Sequence, residues 1–236
     1  MNRHLQRPFA IWIAALLLNP AAAYPARPMN TDDARTVDSY ACQVESWVRT
    51  NQGSREYWAL PACNFTGNLE MTLGGSRTAD ATASKTSDII LQGKTLLKPL
   101  NTNGYGVAFS AGYAAHPAAQ NGRTLGDPYF NLPVSISFAD DRLVLHTNTG
   151  VRHVRDENKA RATWGLGSET MITPRVYLIA ETFGETRVNA SYQLGLRFWI
   201  IPNHVQVDTT YGNQYGDKHD PRWFSVGLRL LSVPFL

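Results

Sequence analysis

Residues 172–213 read ITPRVYLIAETFGETRVNASYQLGLRFWIIPNHVQVDTTYGN and repeat one pattern three times. Each repeat opens with a turn, and the turns are Thr173-Pro174, Gly184-Glu185-Thr186 and Pro202-Asn203-His204. About ten residues of alternating apolar and polar side chains follow each turn, which is the pattern of a β-strand with one apolar face. The polar faces carry the charged residues Glu181, Arg197 and Asp208. The stretch therefore predicts a sheet whose apolar face contacts either a protein core or lipid.

The first 23 residues have the three parts of a secretory signal peptide. Arg3 and Arg7 form a basic region, residues 9–18 are apolar, and Ala21-Ala22-Ala23 is a small-residue cleavage site. The apolar stretch is shorter than the roughly 20 residues of a transmembrane helix. We therefore expect a signal peptide over residues 1–23 and an exported chain from Tyr24 onward.

Two cysteines, Cys42 and Cys63, lie in the exported part. An oxidising compartment favours a disulfide between such a pair, and zinc would need further Cys or His ligands at a suitable spacing. The residues between them read as two strands, QVESWVR and EYWALPA, joined by the turn-like TNQGS. We expect the disulfide to join the open ends of this hairpin, and we expect no metal site.

The mature chain has period-two alternation over most of its length and no sustained helical period. Twelve strands are predicted, at about 42–49, 56–63, 68–77, 87–98, 104–113, 133–139, 142–154, 160–172, 175–184, 188–201, 205–214 and 222–233. Residues 42–236 show no linker-like break and are predicted to form one domain. Residues 24–41 are polar and aperiodic, so we interpret them as a periplasmic N-terminal lead-in; the alternative, that they enter the barrel and plug it, stays open.

The predicted connections differ in length on the two sides of the sheet. Those after even-numbered strands are short, whereas three of those after odd-numbered strands are long: SRTADATASK, the segment around HPAAQNGRTLGDPYF, and QYGDKHDP. Short turns on one rim and long loops on the other are typical of outer-membrane barrels. An even number of strands also places both termini, with Cys42 and Cys63, on the short-turn, periplasmic rim.

The two faces of the strands differ in chemistry. The apolar face carries large side chains, among them Leu73, Leu91, Tyr105, Phe109, Tyr113, Leu166, Leu194 and Leu228. Tyr105 and Tyr113 lie about 25 Å apart along one strand, as do the aromatic girdles of a membrane barrel. A soluble twelve-stranded barrel would enclose a wider interior than side chains can fill. The sequence therefore predicts an all-β fold, a single antiparallel transmembrane β-barrel; a soluble secreted β-sandwich or lipocalin-like barrel is the alternative.

Charged and polar residues lie on the opposite face, which faces the lumen of the predicted barrel. Five of them, on consecutive strands, are predicted to form a charge ladder: Glu169, Glu181, Arg197, Asp208 and Arg229. The other lumen-facing residues are Glu45, Arg49, Glu70, Lys94, His146, Asn148, Arg152 and Arg161. Charges in a confined lumen are costly unless they are paired. The ladder either fills and stiffens the barrel or forms a polar constriction that selects solutes.

Enzyme motifs are absent from the sequence. Outer-membrane phospholipases carry GHxSNG, whereas the nearest fragment here, LHTNTG, has no serine, and its His146 is interpreted as a hydrogen-bonded lumen residue. Asp217, His219 and Asp220 lie in GDKHDPR, which we interpret as a solvated loop rather than a metal site. No phosphate-binding or dinucleotide-binding motif occurs. A net charge of +3 is too small to indicate nucleic-acid binding. We therefore expect no enzyme activity, no cofactor and no nucleic-acid partner.

Four segments carry a resemblance to a known family: LHTNTGVRH, WGLGSETMITPRVYLIAETFGE, YQLGLRFWIIPNHVQVDTTYG and WFSVGLRLL. Across residues 142–233 the chain resembles the proteobacterial outer-membrane "MetA-pathway of phenol degradation"/transporter-like family. The resemblance implies an exported β-barrel in the outer membrane of a Gram-negative bacterium that passes small, often hydrophobic or aromatic, molecules. Outer-membrane lipid and the barrel-assembly machinery are the implied partners, and Phe235 supplies the aromatic residue near the C-terminal end.

Three functions remain open at this point. The leading hypothesis is a porin-like channel through which small molecules pass passively. A non-conducting structural or adhesion barrel, whose outer loops bind a partner, is the second. A soluble secreted β-protein that binds a ligand is the third.

Overall fold

The computed structural model describes residues 29–118, 126–216 and 221–235. They form one closed barrel of twelve antiparallel strands, in which each strand pairs with the next and the last pairs with the first. The strands are β1 (Cys42–Asn51), β2 (Ser54–Asn64), β3 (Leu69–Asp80), β4 (Ser84–Lys98), β5 (Tyr105–Ala115), β6 (Asp127–Phe138), β7 (Leu143–Val154), β8 (Lys159–Thr173), β9 (Val176–Glu185), β10 (Ser191–Ile201), β11 (Val205–Gln214) and β12 (Trp223–Leu231). The predicted fold class is confirmed. The predicted signal peptide, residues 1–23, lies outside the described residues.

Strand β6 differs most from its predicted bounds. It begins at Asp127 rather than at residue 133, and its first residues pair with the end of β5, from Ala114↔Asp127 to Ser110↔Asn131. Pro128 and Pro133 interrupt the apolar pattern of this segment, so alternation alone could not reveal it. The other strand bounds agree with the predicted ones to within three residues.

The loop predicted between β3 and β4 is mostly strand. Arg77 pairs with Thr86 and Ala79 with Ser84, so the connection shrinks to residues 81–83. The expected difference between the two rims therefore rests on the connections 116–126 and 215–222, which remain the longest at their end of the barrel. Backbone ladder bonds form without apolar side chains, which is why polar extensions of this hairpin look like a loop in the sequence. Asp217, His219 and Asp220 lie outside the described residues.

The start of β1 and the end of β12 lie at the same end of the barrel, which we call the terminal rim; the opposite end is the loop rim. At the terminal rim the Cys42–Cys63 disulfide joins β1 to β2, as predicted, with the two Cα atoms 4.1 Å apart. The residues after β12 run beside residues 40–42. Ser232 N donates to Cys42 O at 2.9 Å, and Phe235 N donates to Tyr40 O at 2.8 Å. The Phe235 ring packs against Tyr40 and Phe65.

The barrel is apolar outside and polar inside. Exposed outward side chains include Leu73, Leu91, Tyr105, Phe109, Tyr113, Leu166, Leu194 and Leu228, as predicted. The buried inward side chains include Glu70, Lys94, His146, Glu169, Arg197 and Asp208. A water-soluble barrel has the reverse arrangement, whereas an outward apolar band around a polar lumen is that of a barrel surrounded by lipid. In the described part of the chain no helix has the length and apolar character that crossing a bilayer requires.

We predict that Leu166→Arg, at the middle of β8, lowers the free energy of unfolding in lipid vesicles by about 2–4 kcal/mol, because the charge would lie at the bilayer midplane. Ile172→Arg is the matched control, since Ile172 is equally exposed on the same strand but lies next to the terminal rim. Near an interface the cost falls to about 0–1 kcal/mol. Urea unfolding monitored by tryptophan fluorescence measures both values, and equal costs would contradict the assigned orientation.

Candidate functional site

Residues 29–38 lie inside the barrel and are called here the lumen plug. Met29, Ala34 and Val37 are almost fully buried, and no strand or helix forms before β1 in this segment. The plug contacts wall residues of β2, β3, β4, β6, β7 and β9 before the chain reaches Tyr40 at the terminal rim. For residues 29–38 this position corrects the expectation of a periplasmic lead-in over residues 24–41 and matches the alternative of a segment that enters the barrel; residues 24–28 lie outside the described residues.

Glu181 and Asn148 bind the backbone of the first plug residues. The Glu181 carboxylate accepts hydrogen bonds from Asn30 N at 2.7 Å and from Thr31 N at 2.6 Å. Asn148 forms a pair of bonds with Asp32, accepting from its N–H at 2.7 Å and donating to its carbonyl at 2.7 Å. Because buried backbone groups need hydrogen-bond partners, these wall side chains replace the ladder that the plug lacks.

Three further wall side chains bind the plug nearer the terminal rim. Ala34 N donates to Ser135 Oγ at 2.8 Å, and Val37 N donates to Glu70 at 2.7 Å. Asn64 Nδ2 donates to the Val37 carbonyl at 3.0 Å. Glu70 was among the predicted lumen residues, whereas Ser135 and Asn64 were not, because uncharged side chains on an inward face carry no distinctive signal.

Lys94 binds the plug through charge. Its ammonium lies 2.8 Å from Asp32 Oδ1 and 2.8 Å from Asp33 Oδ1, and the side chain is 4% exposed. Removing one partner of a buried ion pair leaves an uncompensated charge, which is more costly than the pair itself. Lys94 was predicted to face the lumen, and it does so as an anchor of the plug.

Two glycines of β8 allow the plug to approach the wall. A Cβ atom added at Gly165 would lie 2.7 Å from Thr31 Oγ1, and one added at Gly167 would lie 2.8 Å from Met29 Cε. Both distances are shorter than van der Waals contact allows, so a larger residue at Gly165 would push Thr31 away, whereas a small side chain at Gly167 would need only the flexible end of Met29 to shift. The glycines in WGLG therefore provide the space in which the plug packs.

The five residues of the predicted charge ladder bind different partners. Arg197 forms the centre of one, donating through Nη1 to Glu169 at 2.7 Å and through Nε and Nη2 to Asp208 at 3.0 and 3.1 Å. Arg229 donates instead to Gln43 Oε1 at 2.8 Å and lies 3.6 Å from Glu45. Glu181 binds the plug, as described above. All five residues face the lumen, and their side chains are buried.

Ser135, His146 and Glu169 are linked beneath the plug. Ser135 Oγ lies 2.8 Å from His146 Nδ1, and His146 Nε2 lies 3.4 Å from Glu169 Oε1. This order of groups resembles a nucleophilic triad, but Ser135 is fully buried and already accepts the bond from Ala34 N. A nucleophile must reach its substrate. In this conformation the three side chains position the plug instead.

Between the plug and the loop rim lies a cavity of about 480 Å³, called here the loop-side chamber. Aromatic side chains line it: Trp47, Trp58, Tyr129, Phe183 and Trp223. Met29, Asn30 and Asp32 of the plug form its floor. On the terminal-rim side, the plug and the β1–β4 wall leave a cavity of only about 40 Å³. The plug therefore separates an open chamber from a nearly filled half of the lumen.

The remaining predicted lumen residues lie around the chamber. Arg152 and Arg161 both bind Glu185, with N–O distances of 2.7 and 2.6 Å. The Arg49 guanidinium stacks on the Trp223 ring, 4.0 Å from its centroid. Among the described residues no group of three or more His, Cys, Asp and Glu side chains is placed to bind a metal ion.

The closed barrel, the apolar exterior and the polar plugged lumen define a β-barrel with the fold of outer-membrane porins. The chain belongs to the family described as "Uncharacterised conserved protein UCP029691", which matches residues 13–231. This description names neither phenol degradation nor transport, so the resemblance to the "MetA-pathway" family stays a prediction. No curated protein matches the sequence.

Solved structures show the same fold at low sequence identity. The KdgM porin and the NanC porin each match with a TM-score of 0.59 and 9% identity, over 80% of this chain and 98% of theirs. The COG4313 outer membrane channel from Pseudomonas putida F1 matches with a TM-score of 0.54 and 11% identity, over 86% of this chain and 98% of that one. At such identities the likeness concerns the fold alone.

We predict that Arg197→Met lowers the free energy of unfolding by about 3–5 kcal/mol, because Glu169 and Asp208 would be left buried without their cation. The combined variant Glu169→Gln, Arg197→Met, Asp208→Asn removes all three charges and should recover most of the loss. Arg175→Met, in an exposed turn, serves as the control and should change the value by less than about 0.5 kcal/mol. Urea unfolding in vesicles measures all three variants. An Arg197→Met variant with an unchanged free energy of unfolding would contradict the assigned pairing.

Proposed function

We propose that the protein is a channel in the outer membrane of a Gram-negative bacterium, that small molecules cross it passively, and that the lumen plug closes it. The observation that carries this proposal is the way the plug is bound. It occupies a polar lumen through side-chain hydrogen bonds and two ion pairs, without joining the β-sheet. A segment bound in this way can leave while the barrel stays intact.

The energetics support a reversible plug. Each neutral hydrogen bond contributes about 0.5–1.5 kcal/mol net and each bond to a charged group about 1.5–3 kcal/mol, because water replaces the partner when the bond breaks. The wall residues that bind the plug lie in a lumen that water can enter from the loop-side chamber, which reaches Asn30 and Asp32. The ladder bonds of the twelve strands do not depend on the plug, since each strand pairs only with its two neighbours.

The proposed solutes are small, and the resemblance of residues 142–233 to the "MetA-pathway" family favours hydrophobic or aromatic ones. The proposal includes no catalysis. Outer-membrane lipid, which would contact the exposed apolar band, and the barrel-assembly machinery, which inserts such barrels, are the proposed partners.

A second function is favoured by the same plug. If it never leaves, the protein is a non-conducting barrel that acts through its outer surface, in a structural or adhesive role. The two functions differ in one measurable property, the ionic current through a single barrel in a planar bilayer.

We predict that deletion of residues 29–38 gives stable open channels, whereas the wild-type protein is closed for most of the recording. Lys94→Met should raise the open fraction as well, because it removes both ion pairs to the plug. Lys85→Met is the matched control, since Lys85 lies on the same strand but is exposed near the loop rim. Single-channel recording in a planar bilayer measures each variant. A silent deletion variant that still shows the gel mobility of a folded barrel would favour the non-conducting function.

A disulfide across the plug tests whether movement is needed. A Cβ atom at Gly167 would lie 3.4 Å from Thr31 Cβ, close to the spacing of about 3.5–4.5 Å in disulfides. We expect the oxidised Thr31→Cys, Gly167→Cys variant to stay closed and to open after reduction. Wild-type protein treated with the same reductant controls for the native Cys42–Cys63 bond. Equal currents from the oxidised and reduced variant would overturn the role of the plug as a gate.

A further inference from the structure

The loop-side chamber has the size and lining of a ligand site. Its volume of about 480 Å³ lies within the range of about 300–1,000 Å³ that small-molecule sites occupy. It extends from Asn30 and Asp32 of the plug to Val188 and Asn189 of the connection between β9 and β10. A solute entering from the loop rim would therefore meet this chamber before it reached the plug.

Arg49 presents the cationic group of the chamber that has no carboxylate partner. Its guanidinium carbon lies over the Trp223 ring, 4.0 Å from the centroid, and a cation–π contact of this kind does not use the N–H groups at the edge of the guanidinium plane. The buried Nε has no hydrogen-bond partner, and no carboxylate oxygen of residues 29–118, 126–216 and 221–235 lies within 4.0 Å of the guanidinium. An arginine edge is suited to a planar carboxylate, which accepts two parallel hydrogen bonds.

The carboxylates near the chamber already have partners. Asp32 binds Lys94, and Glu185 binds Arg152 and Arg161. Glu56, which lies opposite Arg49 on β2, accepts hydrogen bonds from Asn51 at 2.7 Å and from Trp58 at 3.1 Å. Glu56 and Glu181 attract the Arg49 charge at longer range, but both carboxylates accept hydrogen bonds from other donors, and Arg49 forms no close ion pair with a described residue.

A flat apolar surface lies on the same face of β1 as Arg49. The Trp47 and Trp58 rings are stacked, with centroids 5.2 Å apart and an angle of 7° between their planes. Trp47 precedes Arg49 by two residues, so both side chains point into the lumen. Both indoles line the chamber. Planar rings gain from stacking on such surfaces beyond the area that they bury.

We propose that the loop-side chamber binds a small aromatic carboxylate, with the carboxylate on the edge of Arg49 and the ring against the Trp47–Trp58 pair. Arg49 selects for the negative charge, and the two indoles select for the planar apolar body. The role of this site as the entry point of a channel rests on the proposed function, but binding itself does not require conduction.

Tryptophan fluorescence of the intact protein in detergent micelles tests the site with three ligands of similar size: benzoate, benzyl alcohol and benzylammonium. We expect saturable quenching by benzoate, and affinities at least tenfold weaker for the neutral and cationic compounds. Isothermal titration calorimetry repeats the comparison without an optical signal. Equal affinities for benzoate and benzyl alcohol, or no saturable binding of benzoate, would overturn the proposal.

Arg49→Gln removes the charge and keeps a side chain of similar shape. We expect benzoate affinity to fall at least tenfold while benzyl alcohol affinity changes less than twofold. Arg55→Gln is the matched control, because Arg55 lies at a similar height on β2 but is exposed on the other face of the sheet. An unchanged benzoate affinity in a folded Arg49→Gln variant would exclude Arg49 as the anion site. Competition by inorganic phosphate as strong as that by benzoate would overturn the aromatic selectivity.

Current recordings separate this proposal from the proposed function. In the channel formed by deletion of residues 29–38, benzoate should block or slow the ionic current, and Arg49→Gln in that background should relieve the effect. If the barrel binds benzoate but never conducts, the proposed channel function is wrong and the proposed binding site is supported. A barrel that conducts but shows no response to benzoate in either assay would support the channel function and overturn the proposed binding site.

Discussion

Closure of the backbone hydrogen-bond ladder is the constraint on which the other features of the structure depend. A sheet in lipid cannot expose unpaired N–H and C=O groups, so β12 must pair with β1. Closure with twelve strands produces an interior wider than side chains alone can fill, since about eight strands already give a filled one. The interior must therefore hold either water or additional polypeptide, and in this protein residues 29–38 fill one part of it and leave a cavity of about 480 Å³ in the other.

The lumen plug occupies the half of the interior nearest the terminal rim, and the buried wall charges Glu70, Lys94 and Glu181 bind it. A segment without secondary structure carries backbone N–H groups that require partners, and Glu181, Asn148 and Glu70 supply them from three different strands. Lys94 neutralises the two plug aspartates. Arg197 serves the barrel instead, because it joins β8, β10 and β11 through Glu169 and Asp208.

The division of the lumen connects the two proposals. In the plugged half, Glu181, Asn148, Glu70 and Lys94 bind the plug, whereas the loop-side chamber is lined by the Arg49 guanidinium and by the stacked indoles of Trp47 and Trp58. In the proposed channel, a solute would first bind in the chamber and would cross only when the plug leaves. Binding and passage would then depend on different residues, Arg49 for the first and Lys94 for the second.

The sequence by itself determined the strands, their two faces and the Cys42–Cys63 pair. Period-two alternation and turn residues report directly which side chains share a face, so Glu181, Lys94 and Arg49 were correctly predicted to face the lumen. It could not determine what each of these residues binds. The partners of Glu181 lie about 150 positions away in the plug. The backbone of Asn30, Thr31 and Asp32 pairs with wall side chains and not with a strand, so these residues show no periodic pattern in the sequence. Only the closed barrel brings these residues together, since contacts between an aperiodic segment and a wall depend on shape.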